Sequence, residues 1–121
     1  MLLKERDNTQ LGLILKYGAK IGDYLNCYGG TEQDFLTCEN LQDLCSYALI
    51  QIGEAVGRLS DYFLNKHAEI DWSSIHGLRC ILVHGYEDIN YRILWQAIQD
   101  DLPELLAFCK SHYEGDADDK G

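Results

Sequence analysis

Apolar residues recur at spacings of three and four along nearly the whole chain, and this regularity restricts what the chain can fold into. From about Asn8 to Tyr28 the positions Leu11, Ile14, Tyr17 or Gly18, Ile21, Leu25 and Tyr28 keep that interval. An α-helix turns about 100° per residue, so these residues form a stripe along one helical face. Leu41, Leu44, Ala48, Ile52, Ala55 or Val56, Leu59 and Phe63 predict a second long helix from about Glu39 to Leu64. A third helix is predicted to begin at an Asp71 cap and end near Gly85. A fourth, capped by Asp88 or Asn90, carries Leu94, Trp95, Ile98, Leu102, Leu105, Leu106 and Cys109.

The breaks between stripes are chemically marked. Gly29 and Gly30 stop the first helix, and Thr31 with Asp34 resembles a capping box for a short turn around Phe35. Pro103 lies inside the last stripe, where its missing N–H predicts a kink or a break with a new start. Gly53 and Gly57, four apart in the second helix, predict a close helix crossing. No strand alternation of useful length and no Asn-Gly or Asp-Gly hairpin turn occurs, so the expected fold is all-α, an antiparallel bundle of four to five helices.

At 121 residues the chain is sized for one domain with a hydrophobic core, expected over residues 1–113. Residues 114–121, reading EGDADDKG, are expected to be an acidic disordered tail. The formal charge of −10 argues against broad non-specific binding to nucleic acid, because phosphate affinity is largely summed from Lys and Arg contacts. Any nucleic-acid chemistry therefore needs a local basic site, or one assembled between chains. The five cysteines lack metal-binding spacing and are expected to be reduced and mostly buried. Neither a membrane-spanning run nor a signal peptide is read at the N-terminus, and a cytoplasmic location is the expectation.

One stretch carries polar groups inside an apolar run: GLRCILVHGY, Gly77 to Tyr86. On a helical wheel centred on Ile75, Leu82 falls about 20° to one side and Arg79 about 40° to the other, while His84 lies about 180° away. Arg79 and His84 are thus about 140° apart. They converge on one small group only if the helix loosens near Gly85, if the long arginine reaches around, or if two copies meet across a twofold axis. For an isolated Arg and His, solvation or a salt bridge to Glu54 or Asp43 is the ordinary role.

The motif Arg79-Cys-Ile-Leu-Val-His84-Gly-Tyr86, an R-x4-H-x-Y pattern, resembles that of the HepT-like toxins of the HEPN superfamily. Its surroundings are similar in the same order: IGEA at Ile52 to Ala55, W-x-x-I-x-G-x-R from Trp72 to Arg79, and W-x-x-I-x-x-D-L-P-x-L from Trp95 to Leu105. The resemblance covers roughly Leu11 to Leu106. It implies a HEPN-like bundle, a twofold homodimer, and an endoribonuclease toxin silenced by an MntA-type minimal nucleotidyltransferase antitoxin.

Metal-independent RNA cleavage needs proton transfer to and from ribose oxygens and a cation on the scissile phosphate. Histidine suits the first role and the planar arginine fork the second. The resemblance therefore implies His84 as general acid/base and Arg79 as phosphate anchor, with RNA as substrate, no cofactor or metal, and 2′,3′-cyclic phosphate products. It implies Tyr86 as an AMP acceptor, against an ordinary role as a half-buried aromatic with its hydroxyl at the surface. Glu54 is read either as a helix-surface carboxylate or as the partner that orients Arg79, the second favoured by the IGEA match. Arg58 adds charge to an RNA groove or pairs with Glu54 one turn earlier, the pairing being the more ordinary role. His67, His76 and His112 are read as ordinary surface or satisfied histidines. Cys80 departs from the family pattern, which most often has asparagine there, and a thiol is a weak donor and acceptor. The competing expectation is a catalytically decayed module that binds a nucleotide or a protein and serves as partner of the nucleotidyltransferase.

Overall fold

Side-chain caps set most of the helix boundaries. The computed structural model describes residues 3–85 and 88–115. Helix α1 runs Leu3–Tyr28, five residues earlier than the apolar stripe alone suggests, and Gly29 leaves it with φ +111°, a conformation that favours glycine. The Thr31 hydroxyl accepts the Asp34 N–H at 3.1 Å, and the Asp34 carboxylate accepts the Thr31 N–H at 3.3 Å, so the capping box opens α2, Glu32–Thr37. Its buried Phe35 sits against Trp95 and Tyr91 at 5.6 and 6.1 Å between ring centroids.

The predicted helix from Glu39 to Leu64 is two helices. Helix α3 spans Glu39–Gly57 and α4 spans Asp61–Lys66. Ser60 adopts an extended conformation and caps α4 by accepting from Phe63 N. Its own N–H and hydroxyl donate to the two oxygens of Asp7, at 2.7 and 2.6 Å. Asp7 is only 5% exposed, so the break in the second stripe satisfies a carboxylate carried by α1. Leu59, in the break itself, stays buried, which is why an uninterrupted apolar pattern runs through it.

Helix α5 spans Trp72–His84, between its Asp71 cap and Gly85. Helix α6 spans Tyr91–Gln96 and starts at Asn90, whose side chain accepts Arg92 N at 3.0 Å. A wider π-helical turn follows at Ala97–Asp101, and α7 spans Leu102–His112 with Pro103 in its first turn. The break predicted at Pro103 thus takes the form of a π turn. The widened turn precedes the proline, which has no N–H and whose ring would crowd the carbonyl four residues back.

Helix α3 is central, packing on α1 on one side and α5 on the other, while α7 also packs on α1. Ile14, Leu41, Ile52, Leu94 and Leu105 are among the fully buried side chains at the shared core. Burying a residue of this kind stabilises by roughly 1.5–3 kcal/mol before conformational entropy is counted. No strand occurs among the described residues, and no helix among them is long and apolar enough to cross a membrane. Cys45 and Cys109 are buried, their thiols pushed up to about 12 by desolvation, whereas Cys27 and Cys80 are exposed. The expectation of mostly buried thiols therefore holds for only part of the set.

At the far end of α7, Asn8 donates to the Glu114 carbonyl at 2.6 Å and accepts the Glu114 N–H at 2.7 Å. These bonds tie the first residue of the expected tail back to α1. Residues 116–121 of that segment lie outside the described residues.

Candidate active site

The phase of α5 is set at its first turn. The Asp71 carboxylate accepts from Ser74 N at 3.2 Å, Ser74 Oγ at 2.6 Å and Ser73 Oγ at 3.0 Å, and these bonds hold its carboxyl below the usual carboxylate range. Trp72, Ile75 and Leu82 then face the core, as the wheel requires, which turns Arg79 toward α3.

The crossing is close because α3 offers glycine there. A Cβ built on Gly53 would lie 2.5 Å from Arg79 Cβ, and one on Gly57 would lie 3.0 Å from His76 Cε1. The predicted Gly53 and Gly57 crossing is therefore present. It seats two α5 side chains, one turn apart, on two α3 glycines, one turn apart.

Across this crossing Arg79 Nε donates to Glu54 Oε1 at 2.7 Å. The two side chains are 29% and 33% exposed, so the pair opens to solvent rather than being sealed in the core. The Arg79 hydrogen bond pulls the Glu54 carboxyl below its ordinary value, with smaller contributions from the charges of Arg79, Arg58 and His76. In return Glu54 makes the guanidinium hold its proton more tightly. Only Nε is used toward Glu54, while a guanidinium has five N–H donors. Arg79 is thus oriented by a carboxylate and retains donors for an anion.

The other expected site residues are distributed differently. His84 ends α5 and is exposed, about 140° around the axis from Arg79. The helix persists to His84, and Gly85 N closes it on Ile81 O at 2.9 Å, so no loosening brings the two residues together within one chain. Arg58, at the C-cap of α3, donates from Nη1 to Gln10 Oε1 at 3.3 Å in place of the expected pair with Glu54. That departure follows from the end of α3 at Gly57, which turns Arg58 toward α1. Tyr86 lies outside the described residues.

His76 is the group that reading the sequence passed over. Its Nδ1 lies 3.2 Å from Gly53 O, the carbonyl next to Glu54. The helical wheel carries the signal, since His76 is about 60° from Arg79 and one turn away, on the same side of α5. A separate cleft of about 550 Å³, lined by Lys4, Asp7, Tyr62, Phe63, Lys66 and His112 among others, lies between α1, α4 and the end of α7 and contains none of these groups.

Fold and site together define a helical-bundle protein that presents an oriented arginine and an exposed histidine on a single helix. A family model described as ribonuclease HepT-like matches residues 14–112, and the chain belongs to the HepT-like family. Among curated proteins it is similar to one named "Putative RNase" from Caldanaerobacter subterraneus, 46% identical over 54 residues that cover 45% of this chain and 48% of that one. A "Putative RNase" of Methanocaldococcus jannaschii is 36% identical over 73 residues, 60% of each chain. The "Probable ribonuclease HepT" of Thermococcus cleftensis is 34% identical over 73 residues, 60% of this chain and 66% of that one. The chain thus spans from about half to two thirds of the length of these relatives. No solved structure matches it at a significant level.

Proposed function

We propose that this chain is a metal-independent endoribonuclease of the cytoplasm, the toxin of a toxin–antitoxin pair. The observation that carries this reading is the Arg79 guanidinium, oriented by Glu54 at 2.7 Å with donors left for a phosphate, in a chain of the ribonuclease HepT-like family. Arg79 anchors the scissile phosphate and neutralises the charge that builds on it. His84 transfers protons to and from the ribose oxygens, leaving a 2′,3′-cyclic phosphate and a free 5′-hydroxyl.

The cleft is composite. The turn of α5 separates Arg79 from His84, so a twofold mate supplies one while the first chain supplies the other. One observation and the balance of charge favour this arrangement. Ile81, about 60° around α5 from His84, and Val83, about 40° from Arg79, are 47% and 38% exposed, so each expected site residue has an exposed apolar neighbour of the kind a second copy covers. A pairing of arginines from two copies also makes a locally basic cleft from a chain of net charge −10.

An MntA-type nucleotidyltransferase antitoxin silences the enzyme by transferring AMP from ATP to the Tyr86 hydroxyl, breaking the α–β phosphoanhydride bond and releasing pyrophosphate. The transfer adds a phosphate charge and a bulky base two residues after His84 in the chain, and that charge opposes binding of an RNA phosphate. Cys80 favours a second reading, a partner-binding module that has lost cleavage, because a thiol replaces the amide most often found beside this arginine in the family.

Purified protein cutting single-stranded RNA to 2′,3′-cyclic phosphate ends, with loss of cutting in Arg79→Ala and His84→Ala, supports the enzyme. Full cleavage retained in both variants overturns the site. Tyr86 modification is read by intact mass after co-expression with the antitoxin: a gain of one AMP that disappears in Tyr86→Phe supports it, and a gain unaffected by Tyr86→Phe moves the acceptor elsewhere.

A further inference from the structure

The crossing of α3 and α5 holds a second polar side chain besides Arg79. Gly53 O can only accept, so the 3.2 Å contact requires His76 Nδ1 to carry the proton. In the neutral ring that bond leaves Nε2 as the acceptor. Gly57 has no Cβ, and the Cε1 edge of the ring lies in the space a Cβ would crowd. The two nitrogens of an imidazole point to nearly opposite sides of the ring. With Nδ1 aimed at the α3 backbone, Nε2 therefore aims away from it, and His76 is partly exposed. His76 meets the Gly53 carbonyl and Arg79 meets the Glu54 carboxylate, so the two α5 side chains contact adjacent residues of α3. His76 and Arg79 are three residues apart, so their Cβ atoms are about 5 to 6 Å apart on one face of α5. That is the scale of one nucleotide step.

We propose that His76 Nε2 accepts a hydrogen bond from a ribose 2′-hydroxyl of the strand whose phosphate Arg79 holds, and so selects RNA over DNA. The 2′-hydroxyl is the one donor that RNA has and DNA lacks at this place. An acceptor locked in position by its tautomer rejects the strand without it, because the lone pair is then left desolvated and unpaired. This role rests on the ribonuclease reading for the presence of RNA in the groove, and is separate from the proton transfer assigned to His84.

Asparagine and glutamine separate the two ring nitrogens. His76→Asn keeps a donor where Nδ1 meets Gly53 O and removes the group at the Nε2 position; His76→Gln keeps a polar group near the Nε2 position. Binding is measured by fluorescence anisotropy with labelled single-stranded RNA and DNA of one mixed sequence. The His84→Ala chain, cleavage-silent on the present reading, serves as background. The expected result is RNA preferred over DNA by on the order of tenfold. The preference collapses toward one in His76→Asn at an unchanged melting temperature and is partly kept in His76→Gln. Arg79→Ala weakens both strands alike. An unchanged RNA-to-DNA ratio in a folded His76→Asn chain overturns the proposal and leaves the ribonuclease reading standing. Undiminished cleavage by both Arg79→Ala and His84→Ala, with the ratio still dependent on His76, overturns the cleavage site alone. Binding of neither strand by the His76-intact chain overturns both.

Discussion

Arg79 joins packing to chemistry: its Cβ fits against Gly53 and its Nε against Glu54, while its guanidinium carries further donors that suit an anion. Replacing Arg79 or His84 with alanine is expected to slow RNA cleavage by about two orders of magnitude or more, as loss of a phosphate donor or a proton-transfer group does; initial rates on a labelled oligonucleotide check this. Glu54 gives a test that needs no substrate. Because its folded-state carboxyl is lowered by Arg79, the pair stabilises the fold above the ordinary carboxylate range, and that contribution is lost as pH falls through the lowered value. Carboxyl NMR should therefore place the Glu54 midpoint below that of an unperturbed glutamate, and Arg79→Ala should return it upward. A midpoint unmoved by Arg79→Ala would contradict the pairing.

Two glycine substitutions separate helix propensity from helix packing. Gly22 lies in α1 with nothing near the place of a Cβ, so Gly22→Ala is expected to stabilise by roughly 0.5–1 kcal/mol. Gly53→Ala has the same propensity gain. It also forces a Cβ to within 2.5 Å of Arg79 Cβ, an atom too close to the α5 backbone to move freely. The expected net result is a loss of about 1–3 kcal/mol, with a displaced Arg79 and reduced cleavage. Urea unfolding of the two variants should move in opposite directions. At the break between α3 and α4, Asp7→Ala leaves the Ser60 N–H without its acceptor and is expected to cost about 1–3 kcal/mol in the same assay.

Across the whole molecule, the proposed division of labour between Arg79 and His84 depends on how many chains build the proposed cleft. Mixing Arg79→Ala protein with His84→Ala protein distinguishes the cases. If the site is shared between mates, each mixed dimer has one intact Arg79 and His84 pair, and random mixing should restore about a quarter of wild-type activity. If each chain builds its own site, every site has a defect and mixing restores nothing. If mates share the cleft, Val83→Glu, which puts a charge on an exposed apolar position one turn after Arg79, is expected to leave a monomer by sedimentation velocity and to abolish cleavage.

Much of this protein was legible in one dimension. Stripes at three and four place Ile14, Ile52, Leu82 and Leu105 in the core, and Thr31, Asp71 and Asn90 begin helices where their side chains can accept backbone N–H groups. The motif on α5 carried the family resemblance, because Arg79 and His84 share one element and their angular relation follows from helical geometry. These are local properties, decided by side chains within a turn or two of each other. The end of α3 at Gly57, the bond between Arg58 and Gln10, and the seat of His76 on Gly53 were not legible in this way. Asp7 and Ser60 are 53 residues apart, and Glu54 and Arg79 are 25 apart. Contacts at such separations form only when helices pack, so a break that leaves the apolar pattern intact, or a histidine that looks solvated on its own helix, is settled by the neighbouring helix. The sequence by itself determined the helical stripes, the Thr31, Asp71 and Asn90 caps and the helix that carries the family motif; the tertiary structure decided where the second stripe breaks and which groups meet across the α3 and α5 crossing, because backbone carbonyls and side chains from distant segments come within bonding distance only when helices pack.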